Sequence, residues 1–245
     1  MSEGDSLHRA ALSLQVLVGQ RVGVETPHPR AAGKRLVERL DGLVLEAVEA
    51  EGKSLLLRFE GGIVLRSHLR MSGRWRVEPL GAPRTGRPWL VLRGAEHEAV
   101  LWNGPVLELG RGAGTGRLGP DILDDPPDTE WMLDRLRAEP PERELGDALL
   151  DQRLVAGSGN LWKAESLWEA GVSPWRPLAG ASDEGVLAVL VAANRRMRAA
   201  VEGTRPLRHV YRRTGRACPR CGAPIRSHPQ GEHARIAYWC PNCQP

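Results

Sequence analysis

All four cysteines of this 245-residue chain stand in its last 28 positions, as Cys218-Pro-Arg-Cys221 and Cys240-Pro-Asn-Cys243 with eighteen residues between the two knuckles. Two such knuckles present four thiolates to one Zn²⁺, and a short strand-rich tail with little core of its own needs a staple of that kind to fold. The expectation is one structural zinc ion held by Cys218, Cys221, Cys240 and Cys243. Four thiolates close the metal's shell against water and substrate, and no cysteine is left for catalysis. Two disulfides or a redox pair are disfavoured by the duplicated spacing and by a reducing cytosol.

The tail is also the basic part of the chain. From Pro206 onward there are seven arginines against Glu232 alone, a net of +6, so residues 1–205 carry −2 of the overall +4. Between the knuckles lie Arg226, Ser227, His228, Gln230, His233, Arg235, Tyr238 and Trp239. Basic and aromatic residues on a rigid zinc hairpin suit a phosphate backbone and unstacked bases, although zinc ribbons also bind protein. Only Lys34, Lys53 and Lys163 are lysines among 34 basic residues. A lysine where arginine would serve as a charge is a candidate for chemistry, because only lysine lowers its pKa enough to act as a base or amine. The 41% hydrophobic content supplies a core at this length and excludes whole-chain disorder. No apolar run reaches eighteen residues, and Met1 is followed by Ser2, Glu3, Gly4 and Asp5, which argues against membrane insertion or secretion and for a cytosolic protein.

Leu7, Ala11, Leu14 and Val18 recur at helical spacing after Asp5, a plausible N-cap, so a helix is predicted over 6–18. The pattern then turns to strands. Residues 54–60, a Gly61-Gly62 turn and residues 63–69 read as a hairpin, with further extended stretches at 73–77, 89–93 and 99–102. Residues 1–122 therefore form a mainly β domain with a leading helix. The proline-flanked stretch 123–142, with a short helical pattern at 130–137, reads as a linker. A helical domain follows over 143–205: a helix at 145–155, a Gly157-Ser158-Gly159 turn, a helix at 160–170 closed by Gly171, and a third helix after the Ser182 cap. Residues 206–245 form the metal module. The glycine turn leaves the second helix's N-terminal amides beside Asn160, where an anion fits; the alternative is that Asn160 simply caps its helix. His68 reads as a satisfied structural histidine, and Trp102, Trp162 and Trp168 as core.

Several separated stretches together resemble the formamidopyrimidine-DNA glycosylase and endonuclease VIII family of base-excision enzymes. They are Glu3-Gly4-Asp5 leading into a helix, Gly52-Lys53-x-Leu-Leu, Ser67-His68-Leu-Arg-Met71, Arg117-Leu-Gly119-Pro120-Asp121, Leu150-Asp-Gln152 through Ala156-Gly157-Ser-Gly159-Asn160, and Arg235 before Tyr238-Trp239-Cys240-Pro-x-Cys243-Gln244. The last motif and the Lys53 context look closer to the endonuclease VIII side, which handles oxidised pyrimidines. The resemblance implies an α+β protein: an N-terminal β-sandwich with a leading helix, a helix-two-turn-helix domain and a C-terminal zinc finger. It implies a monomer that clamps damaged DNA between these parts, flips the lesion base, and is nucleoid-associated through that DNA. Glu3 would assist proton transfers. Lys53, Asn160 and Arg235 would hold phosphates around the lesion, and Arg70, Met71 and Ser72 would fill the void left by the flipped base.

In the family the nucleophile is an N-terminal proline, whereas position 2 here is Ser2. A secondary amine gives an iminium with a permanent positive charge, which drives β-elimination of the 3′ phosphate. A primary amine gives an imine that can lose its proton. Serine is small enough for Met1 to be trimmed, exposing an α-amine with an ordinary pKa of about 7.7–8.0. The leading expectation is a glycosylase with a reduced or altered lyase step, acting on oxidised pyrimidines or on bulky or cross-linked bases. The alternatives are a fully bifunctional enzyme using the Ser2 amine or Lys53, and a non-catalytic lesion-binding protein or nucleophile knock-out. Lys53→Ala is expected to lower activity sharply, and Lys34→Ala and Lys163→Ala to do little.

Overall fold

The computed structural model describes residues 3–111, 118–204 and 207–245; Ser2 and Arg117 lie outside them. The chain divides into two compact units, Met1–Gly116 and Arg117–Pro245.

The first unit opens with helix α1 (Gly4–Leu14), whose Leu7, Ala11 and Leu14 are buried as their spacing predicts. The extended residue preceding it is Glu3, so Asp5 sits inside the first turn rather than capping it, and a 3-10 turn over Gln15–Leu17 ends the helix early. Strand β1 (Gly23–Glu25) follows, then the one-turn helices α2 (Pro29–Ala32) and α3 (Val37–Leu40). Seven more strands complete the unit: β2 (Leu45–Glu51), β3 (Ser54–Phe59), β4 (Ile63–His68), β5 (Arg74–Pro79), β6 (Leu90–Arg93), β7 (His97–Trp102) and β8 (Val106–Arg111). They form two four-stranded antiparallel sheets in the orders β2-β3-β4-β8 and β1-β6-β7-β5. Alternation along the strands turns Leu55, Leu57 and Phe59 of one sheet inward to a core shared with Leu90, Leu92 and Leu101 of the other, all fully buried. The expected β-sandwich is present. Strand β2 escaped the sequence pattern because its Leu-Glu-Ala-Val-Glu-Ala-Glu string is made of good helix formers, which pairing with β3 overrides.

The second unit contains α4 (Thr129–Arg137), α5 (Leu145–Ala148), α6 (Asn160–Ala170), α7 (Asp183–Val201) and the antiparallel hairpin β9 (Arg226–Gln230) and β10 (Arg235–Trp239). Its main core gathers Met132 and Leu136 of α4, Trp162 and Leu167 of α6, and Val186, Leu190 and Met197 of α7. The stretch 123–142 is thus packed into this unit through α4 rather than running as a bare connection. The α7 cap is as predicted: Ser182 Oγ accepts the N–H of Gly185 at 3.1 Å. Gly171 closes α6 with φ +71°.

The helix expected over 145–155 stops at Ala148. Beyond it, the Asp151 carboxylate accepts the backbone N–H of Arg153 at 3.0 Å, a local bond that competes with helix continuation. The backbone is then laced to residues 119–122. Gly119 N–H donates to Gln152 O, Ala156 N–H to Pro120 O and Ile122 N–H to Ala156 O. A Cβ on Gly119 would lie 2.5 Å from Arg153 O, so only glycine permits this approach. Among the described residues no helix is long and apolar enough to cross a membrane.

Candidate nucleic-acid interface and metal centre

In the first unit, Glu3 immediately precedes α1 and is 2% exposed. A carboxylate there faces the positive end of the helix dipole. The α1 face bearing Ser6, Arg9 and Ala10 borders a cavity of about 360 Å³ whose other wall includes Met71, Ser72 and Gly73. Gly73 allows the tight turn after β4, since a Cβ there would lie 2.5 Å from Leu69 O. Arg70, Met71 and Ser72 are exposed at that turn, with Arg70 at φ +52°. Met71, 57% exposed, is a large apolar side chain with no place in the core.

Lys53 occupies the β2–β3 turn after Gly52, which has φ +56°. The pairing of β3 with β4 brings this turn to the end of β4 that carries His68. Burial lowers the His68 imidazole below its usual range, and the cations of Arg70, Arg66 and Lys53 push it further down. Neutral His68 accepts the Arg70 backbone N–H at Nδ1, 2.9 Å away, in keeping with the structural role expected for it. Lys53 and Arg70 add positive charge near this strand end, while Arg66 is paired with the Glu108 carboxylate at 2.7 Å.

In the second unit, Gln152 braces the glycine turn. Its Nε2 donates to Leu150 O and Ser158 O, and its Oε1 accepts the Gly157 N–H at 3.1 Å. Gly157, at φ +82°, has no room for a Cβ against Asp121 Oδ1, 2.8 Å away. Gly159 then takes the N-cap position of α6, with no side-chain cap bond. Capping therefore does not account for Asn160. Its Nδ2 instead donates to Ile236 O of β10 at 2.8 Å, which ties the glycine turn to the hairpin. Asn160 Oδ1 is buried without a hydrogen-bond partner among the described residues, a cost of order 1–3 kcal/mol. Arg235, exposed, starts β10 one residue before that bond.

Other hairpin residues that suited nucleic acid in the sequence serve packing. Trp239 meets Trp175 edge-on at 5.1 Å and Tyr238 meets Tyr211 at 5.2 Å. Gln230 is 4% exposed. Of the tryptophans expected in the core, Trp162 and Trp168 are buried, whereas Trp102 is half-buried beside Arg74. Lys163 corrects a further expectation: at 1% exposure, with Nζ 3.2 Å from Gln230 Oε1, it is no dispensable surface charge. Glu165, fully buried, accepts the backbone N–H groups of His209, Val210 and Tyr211 and thereby docks the chain leading into the metal module. Neither role was legible beforehand, because both partners lie more than forty residues away in sequence.

The four cysteines converge. Their sulfurs all lie within 4.8 Å of one another, with Cys218 to Cys243 at 3.9 Å and Cys221 to Cys240 at 3.4 Å. A tetrahedral zinc site with Zn–S near 2.3 Å has sulfurs about 3.8 Å apart, so the set fits one such ion. Without a cation, burial and the crowded neighbouring sulfurs push the Cys243 thiol up to about 12. Arg220, inside the first knuckle, lies over the Trp168 ring at 4.4 Å and donates to the carbonyls of Trp168 and Glu169 at the end of α6.

Comparison with known proteins agrees with this layout. Residues 1–104 match the formamidopyrimidine-DNA glycosylase N-terminal domain, and residues 118–209 match the formamidopyrimidine-DNA glycosylase H2TH domain. The chain is 39% identical to a "Probable endonuclease 8 2" of Streptomyces coelicolor, over 100% of this chain and 94% of that protein. It is 35% identical to the "DNA-(apurinic or apyrimidinic site) lyase Nei2" of Mycolicibacterium smegmatis, over 100% and 99%. Among solved structures, a Lactococcus lactis formamidopyrimidine-DNA glycosylase bound non-covalently to DNA with an abasic site superposes with a TM-score of 0.83 at 26% identity, over 99% of both chains. The chain belongs to the formamidopyrimidine-DNA glycosylase and endonuclease VIII family of DNA repair glycosylases.

Proposed function

We propose that the protein excises damaged bases from DNA, with oxidised pyrimidines as its default lesions, and that Ser2 in place of proline leaves its strand-cleaving lyase step weaker than its base-removal step. The observation that carries this reading is Glu3: a carboxylate 2% exposed at the start of α1, directly adjoining the residue-2 nitrogen in sequence. In that position it can take a proton from the α-amine or from an attacking water. Attack at the sugar C1′ forms the new bond as the C1′–base bond breaks, and the leaving base nitrogen takes up a proton. When the Ser2 amine is the nucleophile, the first product is a ring-closed glycosylamine; the C1′–O4′ bond then breaks, O4′ takes up a proton as the sugar ring opens, and the product is a protonated imine. Loss of a C2′ proton then expels the 3′ phosphate, and this step competes with loss of the imine's own proton.

Lys53 is read as a phosphate contact more than as an amine nucleophile, in keeping with its place at the β2–β3 turn beside the end of β4 that carries His68. Asn160 and Arg235 would hold further phosphates, and Arg70, Met71 and Ser72 would occupy the vacated stack. The four-cysteine set would hold Zn²⁺ in a structural role, fixing the hairpin that presents Arg235. The protein as read acts as a monomer in the cytoplasm on chromosomal DNA.

Borohydride reduction on DNA with an abasic site, alongside a lesion panel, tests the reading. Base release exceeding strand cleavage, with trapping that depends on a free Ser2 amine, supports it. Equal rates of release and cleavage favour the fully bifunctional alternative, and binding without either reaction the non-catalytic one. Glu3→Gln should abolish base release and keep DNA binding; unchanged excision would remove Glu3 from the mechanism.

A further inference from the structure

Gln230 is the last residue of β9 and the cross-strand partner of Arg235. Its carboxamide is gripped from three directions: Lys163 Nζ donates to Oε1 at 3.2 Å, while Nε2 donates to Glu144 Oε2 at 3.0 Å and to Pro174 O at 2.8 Å. Gly146 leaves the space, because a Cβ there would lie 2.5 Å from Gln230 Oε1. The Lys163 ammonium, 1% exposed, and the Glu144 carboxylate are thus joined through one neutral carboxamide relay. Withdrawing a charge from water is costly unless it is paired and hydrogen-bonded, so this relay holds one geometry. Directly opposed strand residues sit about 4.5–5.5 Å apart at Cβ, and fixing Gln230 therefore fixes the backbone from which Arg235 projects. Asn160 fixes the next residue by its bond to Ile236 O.

We propose that Lys163, acting through Gln230 and Glu144, is a positioning residue for Arg235, holding the hairpin so that the Arg235 guanidinium meets a single DNA phosphate. This rests on the reading of Arg235 as a phosphate ligand. The test is equilibrium binding of the full-length, zinc-loaded protein to a duplex carrying a tetrahydrofuran abasic analogue, across a salt series. Arg235→Ala is expected to shallow the slope of log affinity against log salt by about 0.9, the signature of one lost phosphate contact. Lys163→Met should shallow it by at least half as much and weaken binding roughly tenfold. Lys163→Arg should restore part of the slope, and the double variant should bind like Arg235→Ala alone.

A wild-type slope in Lys163→Met, or losses that add in the double variant, overturns the proposal and leaves Lys163 a plain packing residue. An unchanged slope in Arg235→Ala instead overturns the phosphate reading of Arg235 itself. Should Lys163→Met fail to hold zinc, Gln230→Met is read in the same way; failure of both to fold overturns the positioning role in favour of a core contact.

Discussion

The β-sandwich and the metal module reach their structures by different means. The sandwich closes one continuous apolar core between two sheets, with Leu45, Leu55, Leu57, Phe59, Leu65, Leu90, Leu92 and Leu101 all fully buried. The apolar cluster under the cysteines is small: Ala164 and Trp168 of α6 with Val210, Tyr211, Cys218, Ile225 and Cys240. Polar ties make up the difference, from Glu165 to three successive amides, from Arg220 to the end of α6, and from Gln244 Nε2 to Val172 O at 2.9 Å. An apolar core is tolerant of individual contacts because its free energy is spread over area. A module with so small a core, held by a few buried hydrogen bonds and by the ion its four cysteines would take, concentrates its stability in single atoms.

Removing the zinc proposed for the four cysteines is the strongest way to break that contrast. Structural zinc sites bind with about 10–16 kcal/mol of apparent free energy that is also folding free energy. A strong chelator, or Cys240→Ser, should therefore unfold residues 207–245 while the sandwich retains its own thermal transition. Calorimetry with and without chelator checks this, and an unaltered trace would show that the hairpin stands without metal. Leu57→Ala attacks the other side of the comparison and should cost about 2–5 kcal/mol in urea unfolding with zinc content unchanged. Glu165→Gln probes the polar ties. It weakens acceptance from three backbone amides by roughly 1–3 kcal/mol, and a zinc-competition assay should show easier metal loss.

The smallest effect belongs to Asp151, which hydrogen bonds from Arg153 and Arg143 draw down from 3.8 to about 2 against the opposing effect of burial. A carboxylate depressed in the folded state contributes its stability fully above its unfolded pKa. Below about pH 4 that contribution fades, and it is gone as the pH passes about 2. Discounted for solvent screening it amounts to roughly 1 kcal/mol. Asp151→Asn should flatten acid unfolding across that window, and an identical acid profile would separate Asp151 from the stability of the turn.

Much of this architecture was readable in one dimension. The CxxC knuckles, the hairpin around Gly61-Gly62, the helix 160–170 with its glycine stop and the Ser182 cap depend on residues within a few positions of one another. Such local chemistry is written directly in the chain. Strand β2 was hidden, because its glutamates and alanines favour a helix until β3 pairs with it. The termination at Ala148 was hidden because it arises from Asp151 and from lacing to residues 119–122.

At the candidate site the same division holds. Sequence alone determined which residue types were available: an acidic residue beside a non-proline second residue, three lysines, an asparagine after a glycine turn, and four thiols at metal spacing. Only the tertiary structure decided that Asn160 grips the hairpin instead of capping α6, that Lys163 is buried against Gln230, and that Glu165 is a structural anchor. Each of those outcomes depends on a partner some 44–76 residues away, and a buried polar group takes its role from whichever partner satisfies it.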